Sequence, residues 1–371
     1  MASSERASYT PTWYTATMVP ASARPPLTYD LDVDVCVIGA GLAGLTTARE
    51  IARRGWSVAV LESGRIAGSA SGRNDGFVLP GFAGSMDRLV SRVGLDHAKA
   101  LWALSEMGLK YVRTTIAEAR MPGVAPIAGW LRVSKTDNGD ELLDDAQLYG
   151  GEFGTEVELW PAERVRDVLR TNHYFHALHL PRAFHIHPLN YALGLAELAE
   201  AEGARIFEDT PALQIDVEGV RKRVVTPAGR VRAPHIVLAC SVHLGSLAPR
   251  IAGTLVPIWS YTITTAPLGP RLAQAITYRG GVTDTELATT ITASWATTGC
   301  CGRDTPPHGR SIPNATRIGS KPTCWRSIRS WARSRSSTSG RACSAMRCIG
   351  CRRSAKSRAA SGLPARSAAT A

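Results

Sequence analysis

Apolar runs and a helical apolar pattern organise the beginning of the chain. The run VDVCVIG, residues 33–39, is β-branched and almost continuously apolar, which predicts a strand buried on both faces of a parallel sheet. In LTTAREIARRG, residues 45–55, apolar positions recur at three- and four-residue spacing, and Gly55 suits the end of a helix. The run WSVAVLE, residues 56–62, predicts a second buried strand. Together they predict a parallel strand, helix, strand unit.

The same pattern returns later in the chain. LNYALGLAELAEAEGARIFED predicts a helix over about residues 190–202, ended by Gly203, and then the strand ARIFE. The runs ALQIDVEG, VVTPAG and HIVLAC follow between residues 212 and 240 with turns between them, and they predict an antiparallel insert that returns to the main sheet. Residues 85–184 show long helical patterns followed by short mixed strands, which predicts a second domain inserted into the first.

These elements predict an α/β fold with a doubly wound, Rossmann-like first domain and an inserted α+β domain. The predicted segments are an N-terminal arm at 1–30, the first domain at 31–90 and 185–250, the inserted domain at 91–184 and 251–288, and a disordered tail at 289–371.

A glycine motif lies between the first predicted strand and its helix. Gly39, Gly41 and Gly44 in GAGLAG form a GxGxxG pattern, which allows a tight turn, approach of a pyrophosphate to the backbone, and close packing of helix on sheet. The helix N-terminus then faces the phosphate charge. Glu62 ends the second strand, where a carboxylate can accept the ribose hydroxyls. An acid there disfavours NADP and leaves FAD and NAD open.

The loop after the second strand identifies a family. SASGRNDG, residues 69–76, resembles the SGRNGG loop of FAD-dependent oxidoreductases of the D-amino-acid-oxidase-like superfamily, and residues 34–76 match that family in order and spacing. TWYTAT, HPLNYALGLAELAEAEGA and PIWSYTITTAPLG are similar to family segments as well, so the resemblance runs to about residue 288. Within the superfamily the chain resembles gamma-glutamylputrescine oxidoreductases and their relatives.

This resemblance implies FAD as the cofactor and oxidation of the carbon–nitrogen bond of an amine or amino acid by hydride transfer to the flavin. It also implies that the first domain is the FAD-binding domain and that the inserted domain is the substrate domain. Catalytic residues stay unassigned, because in this family the protein mainly orients the substrate. The motif and the resemblance assign cofactor contacts to Gly39, Ala40, Gly41, Leu42, Ala43, Gly44, Glu62, Ser63, Ser69, Ser71, Gly72, Arg73, Asn74, Gly76, Leu213 and Ala239. Two residues depart from the family: Asp75 replaces a glycine, and Cys240 stands where threonine is common.

Other candidate residues have two interpretations each. His187 is a catalytic candidate or, as we favour, a histidine that orients or begins a helix. Arg73 pairs with a flavin or substrate charge, or holds its own loop by hydrogen bonds. Cys36 and Cys240 lie in apolar runs and are predicted to be buried, inert thiols. The histidines at 173, 176, 179, 185 and 187 show no metal-ligand spacing, so we expect no metal.

Charge and cysteine content change abruptly near residue 289. Fifteen of the 43 Lys and Arg residues and one of the 31 acidic residues follow Ala288, so the net charge of +12 arises in this segment and the preceding part is nearly neutral. Six of the eight cysteines also lie there. No period of 2 or 3.6 residues is present, which predicts disorder.

The basic segment can also be interpreted as an out-of-frame product. Shifted by one nucleotide, codons for residues 290–303 can encode HHRIVGDDRLLWAG, which resembles the missing C-terminal part of the same family. We therefore hypothesise a single-nucleotide frameshift near the codon of Ala288. The resemblance implies that the lost segment supplies a second FAD contact and part of the substrate wall, so we expect impaired activity.

Two other functions stay open on the residues alone. The first is an NAD-dependent dehydrogenase. The second is a non-catalytic basic protein that binds nucleic acid through the tail, and the absence of a pattern of aromatic residues interspersed among the basic ones there disfavours it. We expect a small-molecule substrate and no nucleic-acid partner. The chain shows no signal-peptide pattern and no long apolar span, so we expect a cytoplasmic protein without a membrane span.

Overall fold

In a computed structural model of the chain, the residues described are 8–257, 261–265, 267–285, 291–294, 300–304 and 347–348. The α-helices are α1 (Trp13–Ala16), α2 (Leu42–Ala52), α3 (Met86–Val93), α4 (Leu95–Glu118), α5 (Asp140–Ala146), α6 (Ala162–Leu169), α7 (Pro188–Ala201), α8 (Pro249–Ala252) and α9 (Pro270–Ala275). Short 3-10 turns span Ala70–Gly72, Ser241–His243 and Gly245–Leu247, and a π-helix spans Gln147–Glu152.

The strands are β1 (Leu31–Asp32), β2 (Val35–Ile38), β3 (Val58–Leu61), β4 (Phe77–Val78), β5 (Ile127–Val133), β6 (Glu158–Trp160), β7 (Ala177–His185), β8 (Arg205–Phe207), β9 (Gln214–Asp216), β10 (Lys222–Val225), β11 (Arg230–Ala233), β12 (His235–Leu238), β13 (Tyr261–Thr264), β14 (Gly281–Asp284), β15 (Ile291–Ser294), β16 (Cys300–Asp304) and β17 (Arg347–Cys348).

A parallel sheet forms the centre of the first predicted domain. Its order is β12-β2-β3-β8, and every neighbouring pair is parallel. All residues of β2 and β3 are buried, as their apolar runs predict, and α2 makes the crossover between these strands. The α/β fold class is confirmed.

The two faces of this sheet are covered differently. Successive side chains of a strand point to opposite faces: Val35 and Val37 join the core formed with α2 and α7, whereas Cys36 and Ile38 pack on the other side. That second side is covered by the four-stranded sheet β1-β11-β10-β9. Strands β9 and β10 lie in the first two runs of the predicted antiparallel insert, β11 was not predicted, and the third run forms β12 of the parallel sheet. A sheet covers this face because β10 and β11 direct Val224 and Val231 into the shared core.

The N-terminal arm lies over this layered unit from residue 8 onward. The Tyr9 hydroxyl donates to the Ile66 carbonyl at 2.9 Å, and the Val19 N–H donates to Asn190 Oδ1 at 2.9 Å. The Leu27 N–H donates to Thr210 Oγ1, and the Leu27 side chain is buried. The described part of the arm is therefore fastened across elements far away in sequence.

A larger mixed sheet forms the remaining part of the described structure. Its order is β17-β13-β16-β15-β14-β5-β7-β4, with β6 paired to β7. Helix α6 packs through Val165 and Leu169 on one side of this sheet, and α5 packs through Leu142 on the other. This mixture agrees with the predicted α+β region, and the domain boundaries stay a prediction.

Two predictions concern the ends of the chain. Of the tail predicted to be disordered, 289–371, the structure places β15, β16 and β17 on the large sheet, and the other positions lie outside the described residues. Within the described ranges, no helix is both long enough and apolar enough to cross a membrane.

Candidate cofactor site

The glycine turn brings three strand ends and one helix together. Gly39 leaves β2 with φ +106°, a conformation that favours glycine, and a Cβ there would lie 2.8 Å from the Ala239 carbonyl oxygen. A Cβ on Gly44 would lie only 1.9 Å from the Gly39 carbonyl oxygen and 3.3 Å from the Ala239 side chain. Glycine at both positions therefore allows α2 to begin directly against the ends of β2 and β12.

The N-terminus of α2 is open to an anion. Its N-cap, Gly41, supplies no side-chain cap, and the first turn contains no acid. The Leu42 N–H donates to Ser71 Oγ at 3.1 Å. In the described part of the chain, the N–H groups of Ala43 and Gly44 donate to no acceptor. Free N–H groups and the positive end of the helix dipole fit the pyrophosphate of a dinucleotide.

Glu62 follows β3 and is held by the backbone of two loops. Its Oε2 accepts from the Ala40 N–H at 2.8 Å, and its Oε1 accepts from the Gly64 N–H at 2.9 Å and from the Ser63 hydroxyl at 3.3 Å. An ionised carboxylate has about four acceptor positions. Glu62 therefore has capacity left to accept a ribose hydroxyl, and the residues present fit a dinucleotide.

A second carboxylate, absent from the sequence-based assignment, supports the loop after Glu62. Glu208 follows β8 with its side chain buried, and its Oε1 accepts from the Ile66 N–H at 2.7 Å and from Arg65 Nε at 3.0 Å. Its Oε2 accepts from the Arg24 N–H of the arm at 2.8 Å. The available signal was an acid at the end of the third strand of a parallel sheet, in ARIFE.

The loop 69–76 is closed by its own hydrogen bonds. The Asn74 side chain donates to the Ser71 carbonyl at 2.9 Å and accepts from the Gly76 N–H at 2.8 Å. Arg73 Nε donates to the Ser69 carbonyl at 3.3 Å, while its side chain is exposed. The loop-holding role of Arg73 therefore has a structural basis. Asp75, the departure from the family pattern, is buried.

Not all of the other residues predicted to contact the cofactor lie at the loop 69–76. Ser69 Oγ lies 2.9 Å from His243 Nε2, so the turn after β12 contacts this loop. The 3-10 turn Ala70–Gly72 contains Gly72, where a Cβ would clash with the Ala67 carbonyl. Leu213 precedes β9 with a 55% exposed side chain, and its N–H donates to the Val225 carbonyl. Among the contacts of the described residues, none joins Leu213 to the glycine turn.

The surroundings of Cys36 and Cys240 keep both thiols in the unreactive, protonated form. Burial raises the pKa of the Cys36 thiol to about 12. Partial burial raises the pKa of Cys240 in the same direction. Both thiols are therefore protonated at neutral pH, as predicted for inert cysteines.

His187 begins a helix, as we favoured. It is the N-cap of α7, and its Nδ1 accepts from the Asn190 N–H at 3.1 Å. Its Nε2 lies 3.1 Å from Thr17 Oγ1, and its ring contacts Trp13 and Tyr14 of the arm. Burial lowers its pKa to about 4. Within the described residues, no group of histidine, cysteine and acidic side chains is arranged to hold a metal ion.

The loop 69–76 leads from the α2 N-terminus to the edge of the large sheet. Phe77 in β4 pairs with His185 in β7, and their rings meet edge to face at 6.0 Å. Burial, and after it the positive charge of Arg279, lowers the pKa of His185 to about 4. A buried, neutral imidazole and an aromatic ring therefore lie at the end of the loop farthest from Ser69, and the exposed guanidinium of Arg279 is near enough for its charge to act on His185.

Comparisons with known proteins agree with this geometry. The chain is 31% identical over 266 residues to the probable oxidoreductase OrdL of Haemophilus influenzae, and these residues cover 69% of this chain and 61% of that protein. Over 271 residues it is 30% identical to the gamma-glutamylputrescine oxidoreductase of Escherichia coli, covering 72% of this chain and 63% of that protein. The chain thus spans less than two thirds of the length of these two relatives.

A solved structure shares the fold. Glycine oxidase from Geobacillus kaustophilus superimposes with a TM-score of 0.63 at 17% identity, covering 80% of this chain and 78% of that one. The family model described as "FAD dependent oxidoreductase" matches residues 34–355, which includes the glycine turn, Glu62 and the loop 69–76. The chain belongs to this family of FAD-dependent oxidoreductases.

Proposed function

We propose that this chain binds FAD and oxidises the carbon–nitrogen bond of an amine or amino acid, with activity reduced by the loss of the C-terminal family segment. The observation that carries the proposal is the uncapped N-terminus of α2, with Ser71 and Glu62 arranged beside it. An NAD-dependent dehydrogenase, the alternative left by the glycine motif, does not agree with the family. The nucleic-acid alternative rests on the basic tail, most of which lies outside the described residues.

Each group has a separate role in holding the cofactor. The N–H groups of Ala43 and Gly44 donate to the pyrophosphate, and Ser71 links the loop 69–76 to that helix end. The remaining acceptor position of the Glu62 carboxylate accepts a ribose hydroxyl. Bound FAD would supply a two-electron acceptor for the hydride. The protein would supply binding and orientation.

We place the substrate beside Phe77 and Arg279. The buried His185 packs against Phe77 and is neutral at neutral pH because of its lowered pKa, so it adds no charge to this position. The exposed Arg279 offers a positive charge that suits a carboxylate. A small amine or amino acid that carries a carboxylate is therefore the substrate class we propose, and gamma-glutamylputrescine is one compound to test, given the relative in Escherichia coli.

The cofactor proposal is tested by titrating purified protein with FAD and following flavin fluorescence. We expect Glu62→Ala to weaken binding at least about tenfold, as loss of one hydrogen bond between a charged carboxylate and a ribose hydroxyl implies. Glu118→Ala, at an exposed position on α4, serves as the matched control and leaves affinity unchanged. Equal affinity of wild type and Glu62→Ala for FAD would contradict this site.

The reaction is tested separately under anaerobic conditions. The protein loaded with FAD is mixed with a panel of amines and amino acids, and bleaching of the oxidised flavin absorbance reports the hydride transfer. We expect bleaching by carboxylate-bearing amines and a rise of the KM in Arg279→Met of about tenfold or more. Bleaching by NADH but by none of these amines would contradict the proposed substrate class.

A further inference from the structure

One side of α4 carries apolar side chains into solvent. The helix buries Ala98, Trp102 and Ile116 on its inner side. On the outer side, Leu104 is 59% exposed and Met107 is 66% exposed. They belong to a shallow, almost entirely apolar depression lined by Val93, His97, Ala100, Leu101, Ala103, Leu104 and Met107. An exposed apolar surface of this kind indicates an interaction site.

The outer side of α4 is a continuous stripe. Residues three, four and seven positions apart lie on one face of a helix, so Ala100, Leu104 and Met107 form a line along its axis. The small side chains of Ala100 and Ala103 leave room for another helix axis at about 8–10 Å. The stripe therefore has the shape of a helix-packing surface.

The charges at the two ends of this α4 stripe are opposite and equally far from its centre. Asp96 lies seven residues before Ala103, and Lys110 lies seven residues after it. Both side chains are exposed. Ion pairs among the described residues involve neither of them. Because both project to the same flank of the stripe by helical spacing, the pattern is self-complementary when the helix is turned end for end.

We propose that the α4 stripe binds a second copy of this chain, with the two α4 helices antiparallel about a two-fold axis near Ala103. In that arrangement each Asp96 faces Lys110 of the other copy, and symmetry repeats the contact. Leu104 and Met107 of both copies fill the centre. A partner of one charge sign would match only one end of the stripe, so charge complementarity favours a second copy.

The contact is short, and this sets the expected affinity. From Asp96 to Lys110 the stripe measures roughly 21 Å at 1.5 Å per residue. A single helix pair of this length falls below the roughly 1,200 Å² that strong, specific interfaces bury. We therefore expect a reversible dimer with a Kd of about 10–100 μM. The inference is independent of the proposed reaction, since the stripe is separate from the cofactor site.

The first test is sedimentation velocity of the full chain, loaded with FAD, from about 1 to about 200 μM. Wild type is expected to shift from monomer to dimer over this range. Leu104→Arg stays monomeric, whereas Leu143→Arg, at a 44% exposed leucine on α5, dimerises like wild type. Circular dichroism checks that each variant is folded.

The second test exchanges the charges. Asp96→Lys alone places like charges opposite each other twice, and so does Lys110→Asp alone, so each weakens dimerisation at least about tenfold. An equimolar mixture of the two single variants restores opposite charges at both contacts. We expect heterodimers in that mixture, and restored homodimers in the double variant Asp96→Lys with Lys110→Asp.

The outcomes separate this proposal from other occupants of the face. Monomer at every concentration would overturn it and leave the stripe to a different partner. A dimer that Leu104→Arg does not weaken would place the interface elsewhere. Failure of the mixed charge variants to associate, with Leu104→Arg still monomeric, would refute the antiparallel register.

Discussion

Three glycines inside helices offer a graded test of how closely the helices pack. A Cβ added to Gly44 in α2 would lie 1.9 Å from a backbone carbonyl oxygen, that of Gly39. A Cβ on Gly194 in α7 would lie 2.9 Å from the sulfur of Met121, the end of a flexible side chain. A Cβ on Gly108 in α4 would meet nothing within 4 Å. We consider alanine at each position.

The expected changes in the free energy of unfolding follow from these distances. Replacing glycine by alanine in a helix stabilises by about 1 kcal/mol when nothing opposes it, and Gly108→Ala should show about this gain. For Gly194→Ala, displacement of Met121 costs about 1–2 kcal/mol, so the net change is near zero or slightly destabilising. For Gly44→Ala, α2 must move away by roughly 1.5 Å before the new Cβ reaches an ordinary van der Waals contact, and this movement separates buried α2 side chains from β2. We therefore expect the free energy of unfolding to fall by more than about 3 kcal/mol.

The assay is urea unfolding followed by circular dichroism, with FAD titration of the same samples. Gly44→Ala should also weaken FAD binding, because it moves the N–H groups of α2, whereas Gly108→Ala should leave FAD binding unchanged. Gly108 borders the α4 stripe, so the comparison is made at about 1 μM, where the chain is monomeric. If Gly44→Ala and Gly108→Ala differed by less than about 1 kcal/mol, the close packing of α2 on the Gly39 turn would be refuted.

Three further predictions concern pH, the arm and the gene. Burial lowers the pKa of His187 to about 4, against about 6.5 when unfolded, so only the unfolded chain gains this proton near pH 5. Stability should be complete above pH 6.5 and fall by about 3 kcal/mol toward pH 4, and urea midpoints across this range would show a shallower slope for His187→Asn. Glu208→Gln should lower the free energy of unfolding by about 2–4 kcal/mol, because the amide group of Gln must face one of the N–H donors of Arg24 and Ile66. Hydrogen exchange of the backbone amides around residues 20–28 should rise, and unchanged exchange there would contradict the role of Glu208. Sequencing the gene across codons 280–300 should reveal one missing nucleotide, and an uninterrupted frame with no family-like alternative would refute the frameshift hypothesis.

Sequence patterns sufficed for the central sheet because its constraints are local. An apolar run between a turn and a helix has few alternatives, so β2, α2 and β3 were predicted close to where they lie. The helix after residue 188 was also predicted, since it repeats apolar residues at helical spacing and ends before Gly203. The glycine motif could be assigned chemistry because its glycines have separate roles: Gly39 and Gly44 lie where the backbone itself is crowded, and Gly41 lies against the Ser71 hydroxyl at the start of α2.

Contacts between distant segments were not predictable in the same way. Nothing in the sequence near Glu208 indicates that it bonds to residue 24 of the arm, because the two are 184 positions apart. The covering of one sheet face by β9, β10 and β11 depends on which strands turn their apolar side inward. The exposed side of α4 was equally hidden, since its apolar residues resemble those of a buried helix until the fold shows which side faces solvent.

The fastened arm has a consequence for how the chain acquires its structure. Its anchor points Asn190, Glu208 and Thr210 are translated some 170 to 184 residues after the arm residues they bind. β12, which pairs with β2, comes about 200 positions after it in the sequence. Such non-local contacts slow folding, and they leave the β12-facing edge of the apolar strand β2 unpaired while synthesis continues. Recovery of native protein should therefore depend on synthesis temperature and on chaperones more strongly than the final stability would indicate.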